Sequence, residues 1–402
     1  MTTTMAAEAG RAAGDRLGAW CGWVMVGAAG LVPLIGWLSP LGFAPLLALM
    51  GLLCLPAVRL ADEDRPALIV LLLALIWAAA SMTWSAPQRA DGGAVLQLAL
   101  ALPLFWSAVC GARRADPRLN GLALAVLTWG LAAFGAVLLV EVFTDAALYR
   151  MLHDAVSDGP IRPDLARSKD AHATFVLAVL WPAVVVGAMR RLRQLGALVL
   201  AVTGLTAAAH VFLSDAPILA FPLSASAMLL VWLWPRFGPR LLALCVAAVG
   251  FGMPGLVWLL RQNVELGRME QGMETSWSSR LSYWGHALDG ILERPWLGWG
   301  LEGSRHMPGM QLHPHNSALQ VWLELGMVGA AAAAAFWGLT LIRLARDEPD
   351  IAMSAVAGST AAYVLFAWIN FGMWQQWWLA LGALIAVLCA MLSNRAERRK
   401  ST

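Results

Sequence analysis

Twelve apolar runs recur along this chain, and that feature decides what it can fold into. A helix crossing a hydrocarbon core needs about 20 predominantly apolar residues. It must also satisfy every backbone group within the segment, because lipid offers no partners. The runs cover approximately 18–38, 41–58, 66–84, 94–112, 120–142, 171–189, 194–213, 216–235, 240–260, 318–342, 351–370 and 374–392. Glu324 and Gly326 divide the tenth into a polar-faced first part and a very apolar second part. The expected fold is all-α: a polytopic integral membrane protein with about 12 transmembrane helices.

Composition agrees. Hydrophobic residues make up 59% of the 402 and charged residues 13%, against roughly 25% charged in soluble domains. Tryptophan is abundant, at 21 residues against three tyrosines, and its half-wet, half-greasy ring favours the headgroup layer. Trp37, Trp84, Trp232, Trp234, Trp258, Trp374, Trp377 and Trp378 fall near run ends.

Basic residues give the orientation. With twelve spans, one side collects Arg11, Arg16, Arg59, Arg65, Arg113, Arg114, Arg118, Arg190, Arg191, Arg193, Arg236, Arg240, Arg343, Arg346, Arg395, Arg398, Arg399 and Lys400. Among the opposite short connections only Arg89 is basic. The positive-inside bias then makes both termini cytoplasmic. It divides the chain into a cytoplasmic tail (1–17), nine helices (18–260) with an outer loop at about 143–170, a second long outer loop (261–317), three helices (318–392) and a basic cytoplasmic tail (393–402). That tail suits contact with anionic membrane lipids. No cleavable signal is expected, since residues 1–17 are polar and the first run is long enough to span.

Several classes recede. The net charge of +3 follows from the cytoplasmic arginines and argues no nucleic-acid partner. Cys21, Cys54, Cys110, Cys245 and Cys389 lie in apolar runs with no close pair, so neither a disulfide nor a metal cluster is expected from them. Ion-coupled transporters use midplane ionisable groups or broken helices. Neither is expected here, because Glu141, Asp215 and Glu324 lie near outer span ends.

The polar chemistry gathers in the long outer loop. Leu281, Trp284, Leu288, Ile291 and Leu292 repeat at helical spacing, predicting a short amphipathic helix capped by Ser278 or Ser279 and ended by Pro295. Arg280 then falls in its first turn, where the dipole is already positive, a combination that suits a phosphate. An ion pair with Asp or Glu, or snorkelling to headgroups, would equally occupy Arg280. Gly298-x-Gly300-x-x-Gly303 matches a dinucleotide fingerprint literally, but no strand precedes it. These glycines are expected to turn the chain back towards the membrane.

His313-Pro314-His315-Asn316 closes the loop and starts the tenth helix. Asn316 fits an N-cap. Asn316, Gln320 and Glu324 follow at i, i+4 and i+8, one polar stripe on an apolar helix. The stripe should face a protein-lined cavity, or else bond neighbouring helices. His315 at its mouth suits a general base for a hydroxyl nucleophile, or a hydrogen-bond donor to phosphate. A metal would have to use His306, His313, His315 and Glu302, at spacings that match no closed ligand motif. His313, which precedes Pro314, is expected to point away from the helix start.

Arg280 with Trp284, the segment ERPWLGWG and HPHNSALQVWLELG resemble the signature of the O-antigen ligase and Wzy-type O-antigen polymerase superfamily. The segment SMTWSAPQRADGG at 81–93 is similar to that family's early outer loop. The resemblance is specific over about 277–326. It implies a GT-C-like, metal-independent glycosyltransferase of the bacterial inner membrane, without a cofactor, whose site faces the periplasm. Its donor would be an undecaprenyl-diphosphate-linked glycan and its acceptor lipid A-core or a growing glycan. By the same resemblance His315 is the essential histidine and Arg280 the loop arginine holding the donor diphosphate, with His313 and Trp284 secondary. Where the family tends to carry a Ser-Arg pair, this chain reads Leu213-Ser214-Asp215. Arg162, Arg167 and Lys169 in the other outer loop would then supply the missing charge.

Ligation of polysaccharide onto lipid A-core is the leading expectation and polymerisation of repeat units its neighbour. A lipid-linked sugar transporter and a non-catalytic envelope scaffold are the rivals from other classes.

Overall fold

The computed structural model describes residues 2–85, 93–157, 159–190, 194–263, 275–310 and 312–400. Arg89, Arg191, Arg193, the 264–274 part of the long loop and positions 86–92 of the 81–93 segment lie outside the described residues. Every described element is a helix or turn, with no strand among the described residues. The helices are α1 (Thr2–Leu38), α2 (Phe43–Leu53), α3 (Arg65–Ser81), α4 (Gly93–Arg114), α5 (Pro117–Thr144), α6 (Ala147–Val156) and α7 (Pro163–Arg190). They continue as α8 (Leu195–Val211), α9 (Asp215–Leu233), α10 (Gly238–Gln262), α11 (Thr275–Glu293), α12 (Ser317–Ile342), α13 (Ile351–Ile369) and α14 (Gln376–Lys400).

Ten helices are long and apolar enough to cross a membrane. Two shorter apolar ones, Pro40–Leu53 and Leu195–Val211, occupy the second and seventh expected spans. The chain is a polytopic helical membrane protein. The second run ends early because Cys54 leaves helical geometry and Pro56 follows in a 3-10 turn.

Contacts between helix ends show which connections share a side of the bundle. At one end Asp64 is bound by Arg113 and Arg343, joining α3, α4 and α12. The Asp116 amide donates to Gly18 O (2.9 Å) and the Arg346 amide to Pro235 O (3.0 Å) at that same end. At the other, Trp37 Nε1 donates to Asp170 (3.1 Å) and Ser85 Oγ to Leu301 O (3.0 Å). The 143–170 connection and the described parts of 261–317 therefore sit together, away from the arginine-rich end.

α7 and α13 run through the middle, each with 83% of its apolar window buried. Small residues in α13, from Ser354 to Ala362, let neighbours approach closely, which is how membrane helices associate. At the outer end of this core Phe175 of α7 packs on Phe366 and Phe371, with ring centroids 4.7 and 5.1 Å away. Phe371 in turn packs on Trp378, 4.5 Å away. The turn after α13 is thereby held from both sides.

Two sequence expectations need correction here. First, a broken helix is present: Gly326 (φ 64°, ψ −163°) interrupts α12. That backbone region is essentially restricted to glycine. An added Cβ would also collide with Trp296 O. Four of the freed groups find partners outside the helix. Trp299 N donates to Leu323 O and Gly300 N to Glu324 O, both at 2.8 Å. The Trp77 indole donates to Leu325 O (2.9 Å), and Met327 N donates to Pro295 O (2.8 Å). Gly298 (φ 68°) permits this close approach, since a Cβ there would meet Glu324 O at 2.5 Å. Secondly, the cysteines are not all isolated: Cys21 and Cys54 lie in side-chain hydrogen-bonding contact, and Cys245 is exposed. They are free thiols.

Candidate active site

The outer loop builds the site from three pieces: α11, the start of α12, and the turn between α13 and α14. α11 lays Trp284, Ala287, Leu288 and Ile291 against α10 and α12. Leu292, expected on that apolar face, is 63% exposed instead, and Ala287 takes the buried place. The helix begins at Thr275, upstream of the expected Ser278 or Ser279 caps. Arg280 therefore stands in the second turn, and the first-turn dipole argument for an anion does not apply to it.

Arg280 remains a candidate by its surroundings. It is half-buried, with its guanidinium 4.9 Å from the Trp277 ring, and it makes no ion pair among the described residues. Burial lowers its pKa, and the nearby Asp215 carboxylate at the start of α9 opposes the shift. Tyr283 and Trp284 lie one turn further along the same face. Trp284 Nε1 donates to Pro314 O (3.0 Å), and Tyr283 stacks on the His315 ring with centroids 6.1 Å apart.

His315 takes a left-handed backbone conformation (φ 52°), which is uncommon outside glycine and often accompanies a functional constraint. Its Nδ1 lies 3.0 Å from Asn370 O. A carbonyl oxygen only accepts, so Nδ1 carries the proton and the neutral ring presents its lone pair on Nε2. Nε2 makes no hydrogen bond among the described residues. Burial pulls the His315 pKa below its usual value, the Asn370 carbonyl works against that, and the charge of Arg280 adds to it. The ring is neutral at neutral pH.

His313 does not point away, as expected from Pro314, but folds back beneath its neighbour, with ring centroids 4.5 Å apart. Its Nδ1 accepts the His315 N–H (3.1 Å), and its Nε2 lies 3.3 Å from the Gln375 amide. Burial, then His315 and Arg305, push its pKa down to about 4. This geometry uses His313 to hold the His315 backbone.

The polar stripe is a closed network on two of its three members. Glu324, fully buried, accepts from Glu302 N (2.8 Å), Ser304 Oγ (2.6 Å), Gln320 Nε2 (2.9 Å) and Trp374 Nε1 (2.6 Å). Gln320 Oε1 accepts from Met373 N (2.8 Å). Asn316 caps α12, its Oδ1 accepting from Leu319 N (3.0 Å). Of the two expectations for the stripe, Gln320 and Glu324 follow the network rather than the open cavity. Three amide atoms around the histidines are buried without a partner: Asn316 Nδ2, Asn370 Oδ1 and Gln375 Oε1. Such a group costs about 1–3 kcal/mol when left unmade, so each calls for an explanation.

The remaining candidates are more peripheral. Arg162 pairs with Asp164 (2.8 Å) and Arg167 with Asp145 (2.6 and 2.7 Å), all on exposed surface. Lys169 is exposed. They lie at the outer end of α7, whose Phe175 supports the turn holding His315. His306 and Glu302 do not join His313 and His315 in a ligand set: among the described residues no three His, Cys, Asp or Glu side chains converge as metal ligands would. Sequence reasoning missed Asn370, Gln375, Tyr283, Ser304 and Trp374. A polar Asn370 at the end of an apolar run, followed by Phe371-Gly372, was the available signal.

Fold and site together define a polytopic membrane protein with a histidine and an unpaired arginine at one end of its helix bundle. Residues 205–334, which include both, match the family model described as O-Antigen ligase. Relatives described as "Putative polysaccharide ligase" occur in Rickettsia conorii, 27% identical over 134 residues, and Rickettsia prowazekii, 27% identical over 138 residues. Each alignment covers 30% of this chain and 33% of the relative. The chain thus spans about a third of the length of the curated relatives it matches. These matches support the O-antigen ligase superfamily over the segment that carries the site. No solved structure matches the chain.

Proposed function

We propose that this chain transfers a glycan from a polyprenyl-diphosphate carrier to a sugar hydroxyl, at the outer face of a bacterial inner membrane. The observation that carries the reading is an unpaired, half-buried Arg280 beside a neutral His315 whose Nε2 is free to take a proton. The acceptor hydroxyl gives its proton to Nε2 as its oxygen bonds to the glycan's anomeric carbon. The bond from that carbon to the diphosphate breaks, and the leaving group remains on the carrier with its charge met by Arg280. A fixed guanidinium aimed at developing phosphate charge is an effective stabiliser, and its planar fork suits phosphate oxygens. General-base help of this kind is worth about 10²–10⁴ in rate.

The carrier is read as undecaprenyl diphosphate, with its tail entering between helices, and the acceptor as lipid A-core, making the reaction a ligation. Arg162, Arg167 and Lys169 guide the anionic headgroup from the α7 end. The pair Arg280 and His315 supplies both cation and base, so no divalent metal is required. The test is a reconstituted assay with carrier-linked glycan and lipid A-core in EDTA. Transfer should proceed, and Arg280→Lys should fall at least tenfold while remaining folded. Loss on chelation with rescue by one ion would reinstate a metal. Wild-type turnover in Arg280→Lys would remove the diphosphate role. Elongation of carrier-linked repeats without transfer to lipid A-core would make the protein a polymerase.

A further inference from the structure

The three unpartnered amides belong to residues that adjoin the histidine pair. Asn316 is fully buried and follows His315 directly. Its Oδ1 is committed to the helix cap, and its Nδ2 is buried with no partner. Asn370 holds the His315 ring through its main-chain carbonyl, leaving its own side-chain Oδ1 unpaired. Gln375 abuts His313, and its Oε1 is unpaired as well. One donor and two acceptors thus remain buried and unpaired near the histidines, and all three groups are uncharged.

We propose that Asn316, Asn370 and Gln375 form the acceptor subsite, and that it takes a neutral, hydroxyl-rich sugar ring. The assignment rests on the transfer reading above. A sugar hydroxyl both donates and accepts, so adjacent hydroxyls satisfy an amide N–H and two amide carbonyls alike. A phosphate or carboxylate on the sugar has no donor to offer Asn370 Oδ1 or Gln375 Oε1, and His313, neutral above pH of about 4, brings no charge to meet it. The placement also separates the two substrates. Arg280 and Tyr283 of α11 flank His315 on one side, where the diphosphate binds. The turn between α13 and α14 holds the Nδ1 edge of the ring through the Asn370 carbonyl, leaving Nε2 on the opposite edge for the acceptor hydroxyl. Selectivity of this type is strong, because an analogue lacking the hydroxyl leaves buried amide groups unpaired.

The test uses the full chain in lipid nanodiscs, with Asn370→Leu and Gln375→Met as near-isosteric apolar replacements. Asn370→Leu keeps the main-chain carbonyl that orients His315. Each variant should raise the acceptor KM by about tenfold or more, with donor affinity and the acid limb of the pH–rate profile unmoved. A monodeoxy series of the acceptor sugar on the wild-type protein provides a measurement independent of variant folding. The deoxy sugar that weakens wild-type binding should cause no further loss in the variant lacking its partner. An acceptor KM within twofold of wild type in both variants, together with a flat deoxy series, overturns the subsite. A shifted acid limb or weakened donor binding overturns it too, by making these residues supports of His315. The two readings fail separately. If the wild type transfers nothing, the transfer reading falls, and the subsite is judged by quenching of tryptophan fluorescence with the acceptor oligosaccharide. If it transfers normally with the amides removed, only the subsite falls.

Discussion

Replacing Glu324 with glutamine tests the network that positions the site. Each carboxylate oxygen accepts from two donors, so an amide NH2 must displace one pair. On the Oε2 side it would face Glu302 N and the Trp374 indole, two donors with no freedom to reverse. On the Oε1 side the Ser304 hydroxyl can rotate to accept, leaving only Gln320 Nε2 opposed. Gln320 cannot turn over, because its Oε1 already accepts from Met373 N. The milder arrangement therefore strands one buried donor, at about 1–3 kcal/mol. Glu324→Ala strands three, since Ser304 Oγ keeps Leu312 O as a partner at 3.1 Å, a cost of about 3 kcal/mol or more by the same figure.

Thermal unfolding followed by tryptophan fluorescence in detergent should rank the proteins wild type, Glu324→Gln, Glu324→Ala. In Glu324→Ala, amide exchange should rise selectively at Glu302 and Met373. Because the Met373 amide ties the 370–375 turn to α12, and that turn presents the Asn370 carbonyl to His315, turnover should fall in Glu324→Gln with donor affinity retained. Equal unfolding temperatures for wild type and Glu324→Ala would refute the stranded-donor account. Lowered stability with unchanged turnover would refute the link to His315.

Gly326→Ala should cost about 1–3 kcal/mol from backbone strain alone, plus the collision with Trp296 O; an unfolding temperature equal to wild type would contradict the observed break. Transfer should rise with pH to an inflection below 6.5, since His315 acts neutral and its pKa is lowered, and an inflection above 6.5 would oppose that role. His313, at about 4 folded against 6.5 as its ordinary value, binds a proton more readily when unfolded. Stability should accordingly decline as pH falls from 6.5 towards 4, by up to about 3 kcal/mol, and His313→Gln should flatten that slope. Single cysteines at the exposed Asp154 and Glu348, placed in a cysteine-free background, should label from opposite sides of the membrane, and labelling of both from one side would remove the orientation.

Hydropathy made the helices legible because a bilayer leaves the backbone no other choice. All twelve apolar runs carry helices, and the alternation of connections follows from their order. The amphipathic register of α11 was also visible, apart from Leu292. Its start was not, since two serines marked a local cap while the helix continued upstream to Thr275. Glu324 and Gly326 flagged the tenth run as divided, but the groups that complete the break belong to residues 77 and 295–300. The stripe on α12 could be read as a pattern. Its partners, Glu302, Ser304, Met373 and Trp374, are distant in sequence and meet only in the folded loop. Asn370 escaped notice for another reason: it acts on His315 through a main-chain carbonyl, which any residue possesses. The left-handed backbone of His315 likewise leaves no mark in residue type.

The break in α12 bears on the rival transporter reading. In transporters, interrupted helices expose carbonyls and helix ends to a central ion path. Here the carbonyls of Leu323, Glu324 and Leu325 are taken by Trp299 N, Gly300 N and the Trp77 indole. None of the three is left as an evident cation ligand. The interruption instead gives the outer loop a rung of backbone bonds below the helix start, while Glu324 gathers Glu302, Ser304 and Trp374 around the same level. A loop fixed this firmly suits a site that must hold a base and a cation at constant separation while a lipid-linked substrate is exchanged beside them. Alternating access would require that loop to release its hold on α12 in each cycle, breaking three backbone hydrogen bonds and the Glu324 cluster together. The geometry favours fixed-site chemistry at the membrane surface over passage through it.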